Sequence, residues 1–538
     1  MTSADRRPRH VRTRLGAALV VLTGSLASTL ASAVVAGQPG AVAAGATRPD
    51  LLPDCVYGAS APGLSGLEPR VQRDAWAYAD RLAGTSSAER LAAARTFAAA
   101  EAGYVYGLPL VDLHDTVRQF RFRNTLVSVA SLSTPETRSV VSPNVDTAYT
   151  VGWLSLTQGP LVIDVPDTDG RFYTFQFMDA WTNSFTYVGS GATGTKAGSY
   201  LFVPPGWSGD VPEGVHLVHS PTNTMWLLGR TLVDDTADME RVKPLLEKYT
   251  ATPLEAWRQG ARGKSVVFDN PPPRPPKPAT PQGTDFVAAL NQETTIDPPP
   301  SSQRCVLEAL GPAGVEQPDT TPGAVLAADS ANAVGNPPGS DEDTPQNRAI
   351  GAGTRAAVRL IAGAADRYRA TTSAGNRGWS VMTDPWIGDF GRQYLGRAVI
   401  ATDLLGANVP RIATYPTSYS DGRGRALTGE HRYTITFPQG HLPPVRAFWS
   451  LTMYRQDNFL YDNEIDRYSV GDRDRGLRRN ADGSLTIFVQ HAEPRGAKAR
   501  ANWLPAPAGA FHLILRLYLP EKAALDGTYR IPPFVRAD

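Results

Sequence analysis

Short strand-like segments separated by turn residues constrain the fold of this chain more than any other sequence feature. In the first half they are β-branched or aromatic, with Pro, Gly, Asp or Asn between them, and cover residues 145–154, 161–165, 172–178, 200–203, 215–218 and 225–232. Between two of them, Asp167-Thr168-Asp169-Gly170 is typical of a hairpin turn. Because no helix separates these strands, the pattern predicts an antiparallel sandwich rather than a parallel α/β sheet.

A second set of strands follows residue 430. Apolar residues alternate with polar ones at 433–437, 449–453, 485–489 and 511–519. Helical spacing occurs elsewhere, first after the capping box Ser86-x-x-Glu89 and then near 237–263, 349–370 and 394–405. We therefore predict a mainly β protein with helical connections (α+β), built on two antiparallel β-sandwich domains.

The two strand regions share a few residues at matching positions, which indicates distant copies of one unit. Arg171, Met178 and Asn183 match Arg446, Met453 and Asn458 at one constant offset, and Leu227-Leu228-Gly229-Arg230 is similar to Leu513-Ile514-Leu515-Arg516. Chance alternation of strands would supply some of these matches. Duplication is therefore a hypothesis.

The first 43 residues have the pattern of an export signal. A basic head containing five Arg precedes an uncharged, mostly apolar stretch, and Ala41-Val42-Ala43 suits cleavage before Ala44. A membrane anchor is the alternative, although Gly, Ser and Thr interrupt the stretch and no basic stop follows. The Arg6-Arg7 pair leaves a twin-arginine route open. The pattern predicts a secreted or extracytoplasmic protein.

Charge and length set further limits. Removing residues 1–43 takes five Arg and one Asp from totals of 53 basic and 52 acidic residues, which leaves 48 and 51, a net charge of −3. No basic block remains to hold a nucleic acid, and no later segment is long and apolar enough to span a membrane. About 490 residues exceed the size of one ordinary hydrophobic core, so we predict more than one domain. Residues 44–250 are predicted to form helices plus the first sandwich, and residues 346–538 helices plus the second sandwich. Between them, residues 251–345 are predicted to form a Pro/Gly-rich helical connection that could be partly disordered from 318.

Cys55 and Cys305 are the two cysteines of the chain. In an exported protein, one disulfide closing a loop of about 250 residues is the favoured interpretation, worth about 4–5 kcal/mol in the chain-entropy model. Two separate buried thiols are the alternative.

Standard catalytic and metal motifs are missing from the sequence. It has no His-Glu-x-x-His, Gly-x-Ser-x-Gly or Ser-x-x-Lys. The Gly189–Gly194 segment matches a dinucleotide fingerprint but leads into a strand, so it provides no helix N-terminus for a pyrophosphate. His216 and His219 lie three apart on a strand and point to opposite faces. We predict no metal and no cofactor.

Polar residues beside aromatic ones at strand ends form the candidate site. Amide and carboxylate groups can bind hydroxyls, while aromatic faces stack on a partly apolar ligand; Asn and Asp are also favoured turn residues whatever the function. We predict Asp146 and Asp179 as the acid and base, at one sandwich mouth. The ligand-binding candidates are Asn144, Thr147, Tyr149, Trp181, Asn183, Asn458 and Tyr461.

Several of these residues carry a family resemblance. The run Pro143–Thr147 followed by Arg171-Phe172-Tyr173, Asp179…Thr182-Asn183 and Gly206-Trp207 resembles domain of unknown function 1254. Later segments, including Asn458…Tyr461-Asp462-Asn463 and Asn502-Trp503-Leu504-Pro505, resemble its usual companion, domain of unknown function 1214. The resemblance spans about 90–538 and implies two jelly-roll-like sandwiches, but it implies no reaction.

Three functions fit these observations. The first is an extracytoplasmic hydrolase or lyase acting on a small polar or carbohydrate-like molecule, with a buried carboxylate whose pKa is raised toward the working pH. The second is a non-catalytic protein that binds a carbohydrate or lipid headgroup, and the third is a structural protein of the cell surface. A homo-oligomer is possible in each case. Asp146→Asn would then preserve folding and remove turnover or weaken binding.

Overall fold

The computed structural model of the protein describes residues 48–60, 64, 67–119, 121–137, 142–270 and 279–538. The predicted signal peptide and the Pro-rich run at 271–276 lie outside these residues. Residues 50–538 form one unit. Within the described residues, no helix is both long and apolar enough to cross a bilayer.

Helices occur before, between and after the strand regions. They are α1 (Leu67–Ala79), α2 (Ser87–Arg118), α3 (Met239–Leu246), α4 (Leu254–Arg258), α5 (Gly283–Ile296), α6 (Arg304–Ala309), α7 (Pro322–Asn332), α8 (Pro345–Ser373), α9 (Tyr394–Leu404), α10 (Ala497–Ala501) and α11 (Lys522–Leu525). Short 3-10 turns occupy Asp54–Val56, Ser301–Gln303 and Gly311–Ala313.

Twenty strands form four sheets in the described residues. The first ten are β1 (Val127–Val129), β2 (Thr147–Ser155), β3 (Leu161–Val165), β4 (Tyr173–Asp179), β5 (Ser184–Gly189), β6 (Gly198–Val203), β7 (His216–His219), β8 (Thr224–Leu232), β9 (Thr250–Pro253) and β10 (Val266–Phe268). The others are β11 (Trp379–Ser380), β12 (Ala413–Thr414), β13 (Thr417–Ser418), β14 (Tyr433–Phe437), β15 (Val445–Arg455), β16 (Ser469–Gly471), β17 (Leu485–Gln490), β18 (Trp503–Pro505), β19 (Phe511–Pro520) and β20 (Val535–Arg536).

Each strand region forms a sandwich of a larger and a smaller sheet. In the first, a sheet of order β10-β1-β2-β8-β4-β5 faces a sheet of order β7-β6-β3-β9, and buried residues of both sheets share one apolar core. In the second, the order β11-β13-β19-β15-β16 faces β18-β17-β14-β20, again around one core. These sheets, largely antiparallel, confirm the predicted fold class of sandwich domains with helical connections.

The two sandwiches repeat one topology. Strands β2 to β9 correspond one by one to β13 to β20, with the same neighbours in both sheets. A parallel pair is also repeated, because β6 with β7 matches β17 with β18. The sequence matches that suggested duplication are one residue out of register, since Arg230 pairs with Thr174 whereas Arg516 pairs with Ser450. The repeated topology supports duplication more strongly than those matches do.

A helical layer covers the outer face of the larger sheet in the first sandwich. Helix α2 begins at the predicted capping box, where the Ser86 side chain accepts from the Glu89 backbone. It packs so closely on α8 that a Cβ at Gly353 would lie 2.5 Å from the Phe97 carbonyl oxygen. Trp153 and Trp226 on the sheet belong to the same apolar core as α2, α8 and α9. The sheet is therefore buried on both faces.

The disulfide joins the N-terminal arm to this helical layer. Cys55 and Cys305 are bonded, with a Cα–Cα distance of 6.4 Å, which confirms the predicted bridge. The stretch 318–345 contains α7, whose Asp329 and Asn332 are buried. The domain boundaries proposed from the sequence stay predictions.

Candidate functional site

A cavity of about 810 Å³ opens where the β4–β5 turn meets the helical layer and two loops of the C-terminal half. The turn contributes Asp179, Trp181 and Asn183, and α9 contributes Arg397. Other walls come from the region around Gln303, the loop 383–391, and segments 409–411 and 522–526. Distant parts of the chain thus converge on one concave site, and its volume suits a small molecule.

A tight turn fixes Asp179 at the end of β4. The Asn183 backbone N–H donates to Asp179 Oδ1 over 2.8 Å, and Asn183 Nδ2 donates to Oδ2 over 2.9 Å. Between them, Thr182 has a φ of +67°, which is rare for a β-branched residue. Its buried hydroxyl has no hydrogen-bond partner among the described residues. Strain of this kind often accompanies functional sites.

Burial dominates the acidity of Asp179, which is 4% exposed. Desolvation raises the pKa of its carboxyl to about 6, against the opposing effects of the Asn183 hydrogen bonds and the Arg397 charge. A carboxyl with such a pKa exists in both protonation states near neutral pH. It can therefore accept or donate a proton at that pH.

Arg397 lies in a box of aromatic rings at the cavity wall. Its guanidinium carbon is 5.4 Å from the Tyr106 ring centroid, 5.0 Å from that of Trp181 and 5.5 Å from that of Tyr394. Such distances are within the range of cation–π attraction. Burial lowers the pKa of Arg397. The guanidinium is thus held by ring faces in a desolvated environment.

A buried ionic cluster supports Trp181 from behind. Its indole N–H donates to the Asp297 carbonyl oxygen over 3.1 Å, while the Asp297 carboxylate lies 3.1 Å from His114 Nε2. Glu293 Oε2 is 2.8 Å from the other ring nitrogen of His114. Burial disfavours the imidazolium, but these two carboxylates outweigh it and raise the pKa of His114 to about 9. The cluster fixes this wall of the cavity.

Asp146 and Asp179 do not share a mouth. Strand β2 begins at Thr147, directly after Asp146, but Thr147 pairs with Leu232 whereas Asp179 pairs with Met225. These partners are at opposite ends of β8, about 23 Å apart at the usual rise per residue. The expected neighbourhood of the two carboxylates was wrong because strand order, which the sequence pattern did not reveal, separates them.

Instead, Asp146 is a buried contact between the two sandwiches. It is 1% exposed, forms an ion pair with Arg473, and accepts from Ser450 Oγ over 2.5 Å. Asn144 Nδ2 donates to the Tyr518 hydroxyl over 2.5 Å at the same interface.

The remaining predicted residues also lie away from the cavity lining. Thr147 is buried, and its hydroxyl has no hydrogen-bond partner in the part of the chain that the structure describes. Tyr149 lies under Arg230, with 5.7 Å from the ring centroid to the guanidinium carbon. Asn458 has a φ of +63°, and its carbonyl accepts from the Ser142 backbone. Tyr461 lies beside His491. Of the nine predicted catalytic and ligand-binding residues, Asp179, Trp181 and Asn183 line the cavity.

Sequence reasoning missed Arg397, Tyr106 and Tyr394. A signal was present, since Arg397 is a single basic residue within the apolar stretch Tyr394–Ile400. A buried position for such a residue requires partners, and these come from α2 and the β4–β5 turn. In the described part of the chain, no group of three or more His, Cys, Asp or Glu side chains is placed so that it could hold a metal ion.

Comparison with known proteins places the chain among uncharacterised families. Residues 123–253 match the model of a protein of unknown function, DUF1254, and residues 412–522 match that of a second, DUF1214. No curated protein matches. Asp179, Trp181 and Asn183 fall within the first match, whereas Arg397 lies between the two.

Two solved structures are similar in fold. The VPA0106 protein from Vibrio parahaemolyticus has a TM-score of 0.60 at 22% identity, over 82% of this chain and 100% of that one. An uncharacterised protein from Burkholderia cenocepacia has a TM-score of 0.39 at 12% identity, over 87% of this chain and 95% of that one, which is too low to support an argument. The first likeness concerns the fold alone. The family matches confirm the resemblance in sequence: in this chain a DUF1254 domain precedes a DUF1214 domain.

Proposed function

We propose that the protein is an extracytoplasmic hydrolase or lyase in which Asp179 transfers a proton to or from a small polar substrate. One observation carries this proposal: a buried carboxyl with a pKa raised to about 6 lines a cavity of about 810 Å³. Perturbed carboxyls in clefts are a common property of catalytic sites. The disulfide supports the location, because such bonds persist in oxidising compartments.

The geometry assigns separate roles within the cavity. Asn183 fixes both oxygens of Asp179, so the carboxyl cannot rotate away from a bound molecule. Trp181 provides an apolar wall beside it. Above a pH of about 6 Asp179 acts as a base, and below it as an acid, so we expect a limb of the pH–rate profile near 6.

A test uses Asp179→Asn with a matched control in a carboxyl outside the cavity. Glu101 on α2 is fully buried, and burial raises its pKa to about 8, but it does not line the cavity. The wild-type protein and both variants would be assayed with nitrophenyl esters and glycosides for hydrolysis, and with β-hydroxy acids for elimination. We expect Asp179→Asn to lose about 100-fold or more in turnover and Glu101→Gln to retain it.

Two outcomes would decide against this reading. Full turnover by folded Asp179→Asn contradicts the acid–base role. Wild-type protein that binds these molecules without converting them supports the second candidate, a binding protein using the same cavity. The aromatic wall formed by Trp181, with the Arg397 guanidinium over its ring, favours that candidate over a structural role.

A further inference from the structure

We propose that Arg397 binds a carboxylate group of the ligand, so that the molecules taken up by the cavity are small organic acids. This inference rests on the proposed function, since it names the class of substrate for the same site. Arg397 is 2% exposed and lies on α9 at the cavity wall.

The guanidinium is under-used as a hydrogen-bond donor. Nη2 donates to the Tyr106 carbonyl oxygen over 3.1 Å, the one hydrogen bond that it makes within the described residues. Nε is buried without an acceptor there, and no carboxylate oxygen of the described residues lies within 4.0 Å. An arginine has five N–H donors, and leaving buried charged donors unpaired is costly. A bound anion would remove this cost.

The aromatic box interacts with the charge of the guanidinium and provides no acceptor for its in-plane N–H groups. Tyr106, Trp181 and Tyr394 interact with the charge through their ring faces. Ring faces do not accept the in-plane N–H groups that bind a planar carboxylate in a fork. One guanidinium of this kind matches one carboxylate.

Charges around the cavity decide when an anion is accepted. Lys522 and Asp526 neutralise each other over 2.5 Å, and Arg411 and Asp389 also line the cavity. The protonation state of Asp179 therefore determines the net charge of the cavity near Arg397. When its carboxyl is protonated the site favours an anion, so we expect affinity for an acid to fall as the pH rises through about 6.

The test measures binding of benzoate and of its neutral isostere benzamide to the disulfide-bonded protein by calorimetry. We expect benzoate to bind at least ~10-fold tighter, as one charged hydrogen-bonded pair provides. Arg397→Gln should abolish this preference and Arg397→Lys should retain part of it. Arg262→Gln is the matched control, because Arg262 also stacks on a tryptophan, Trp257 at 4.5 Å, but lies outside the cavity lining; its preference should be unchanged.

The two proposals fail separately. Equal affinity for both probes, or no binding of either at millimolar concentration, would overturn the carboxylate subsite. If Arg397→Gln does not fold, the wild-type preference and its decline above pH 6 decide the question. Asp179→Asn should bind benzoate more tightly at neutral pH whether or not Asp179 is catalytic.

Discussion

Two buried aspartates of the first sandwich show how differently one residue type is used. Asp146 contacts a cation and a hydroxyl of the second sandwich, Arg473 and Ser450, and thereby joins the two sandwiches. Asp179 accepts hydrogen bonds from Asn183 and from the Trp181 backbone of its own turn and faces a cavity. Burial alone therefore does not mark a catalytic carboxyl; what separates the two is whether the fold already provides a compensating charge in contact.

The largest expected effect comes from removing the compensated charge. Asp146→Ala removes the close partner of Arg473 at a mostly buried position and leaves only the more distant Asp234 at 3.9 Å, which should cost about 3–5 kcal/mol in the free energy of unfolding. Denaturant midpoints measure this loss. The double variant Asp146→Leu with Arg473→Met should recover most of it, because both charges are then absent.

This expectation reverses the one drawn from sequence, in which Asp146→Asn preserves folding and removes turnover. If Asp146 variants keep the wild-type midpoint and lose turnover, Asp146 belongs to the site after all and the contrast with Asp179 is broken.

A smaller effect should appear when the uncompensated carboxyl is neutralised. The pKa of Asp179 rises from 3.8 to about 6 on folding, so the folded state holds a proton that the unfolded state releases between these values. The protonation of Asp179 therefore adds to the free energy of unfolding below about pH 4, and this stabilisation is lost by about pH 6. The free energy of unfolding changes by about 3 kcal/mol over this range, at 1.36 kcal/mol per pH unit. Between these pH values, the free energy of unfolding of Asp179→Asn should rise by about 3 kcal/mol relative to that of the wild-type protein.

Urea unfolding of both proteins at several pH values measures this difference. A difference that does not vary with pH would show that Asp179 is compensated, like Asp146.

The smallest effect concerns the turns that follow β4 and its counterpart β15. Thr182 and Asn458 both have positive φ, but Thr is β-branched and Asn tolerates this conformation. Thr182→Gly should therefore stabilise the fold by about 0.5–1 kcal/mol while loosening the Asp179 turn, and Asn458→Gly should change stability by a few tenths. Thermal melts and the turnover assay together test this. Equal shifts for the two variants would show that the β4 turn stores no special strain.

Much of the architecture could be predicted because local patterns carry it. Alternation at 433–437 and 511–519 identified β14 and β19, and the capping box at Ser86 located the start of α2. The larger sheet of the first sandwich was harder to recognise from the sequence. Its strand β2 is buried along almost its whole length because helices cover its outer face, so apolar and polar residues do not alternate along it.

The candidate site was predicted in part. The Asp179–Asn183 turn is local, so its residues could be recognised together. Arg397 follows them by more than 200 residues, and its meeting with Trp181 depends on how α9 packs against α2 and the sheet. The partition between Asp146 and Asp179 likewise depends on strand order.

By itself, the sequence predicted most of the longer strands and the main helices and favoured the pairing of Cys55 with Cys305, since side-chain periodicity and the presence of two cysteines in the chain do not require knowledge of packing. Tertiary structure alone decided which buried charges are compensated. Coulomb attraction and desolvation act over a few ångströms in space, whatever the separation along the chain. Arg473 reaches Asp146 from 327 positions away, whereas no cation lies in contact with Asp179 among the described residues.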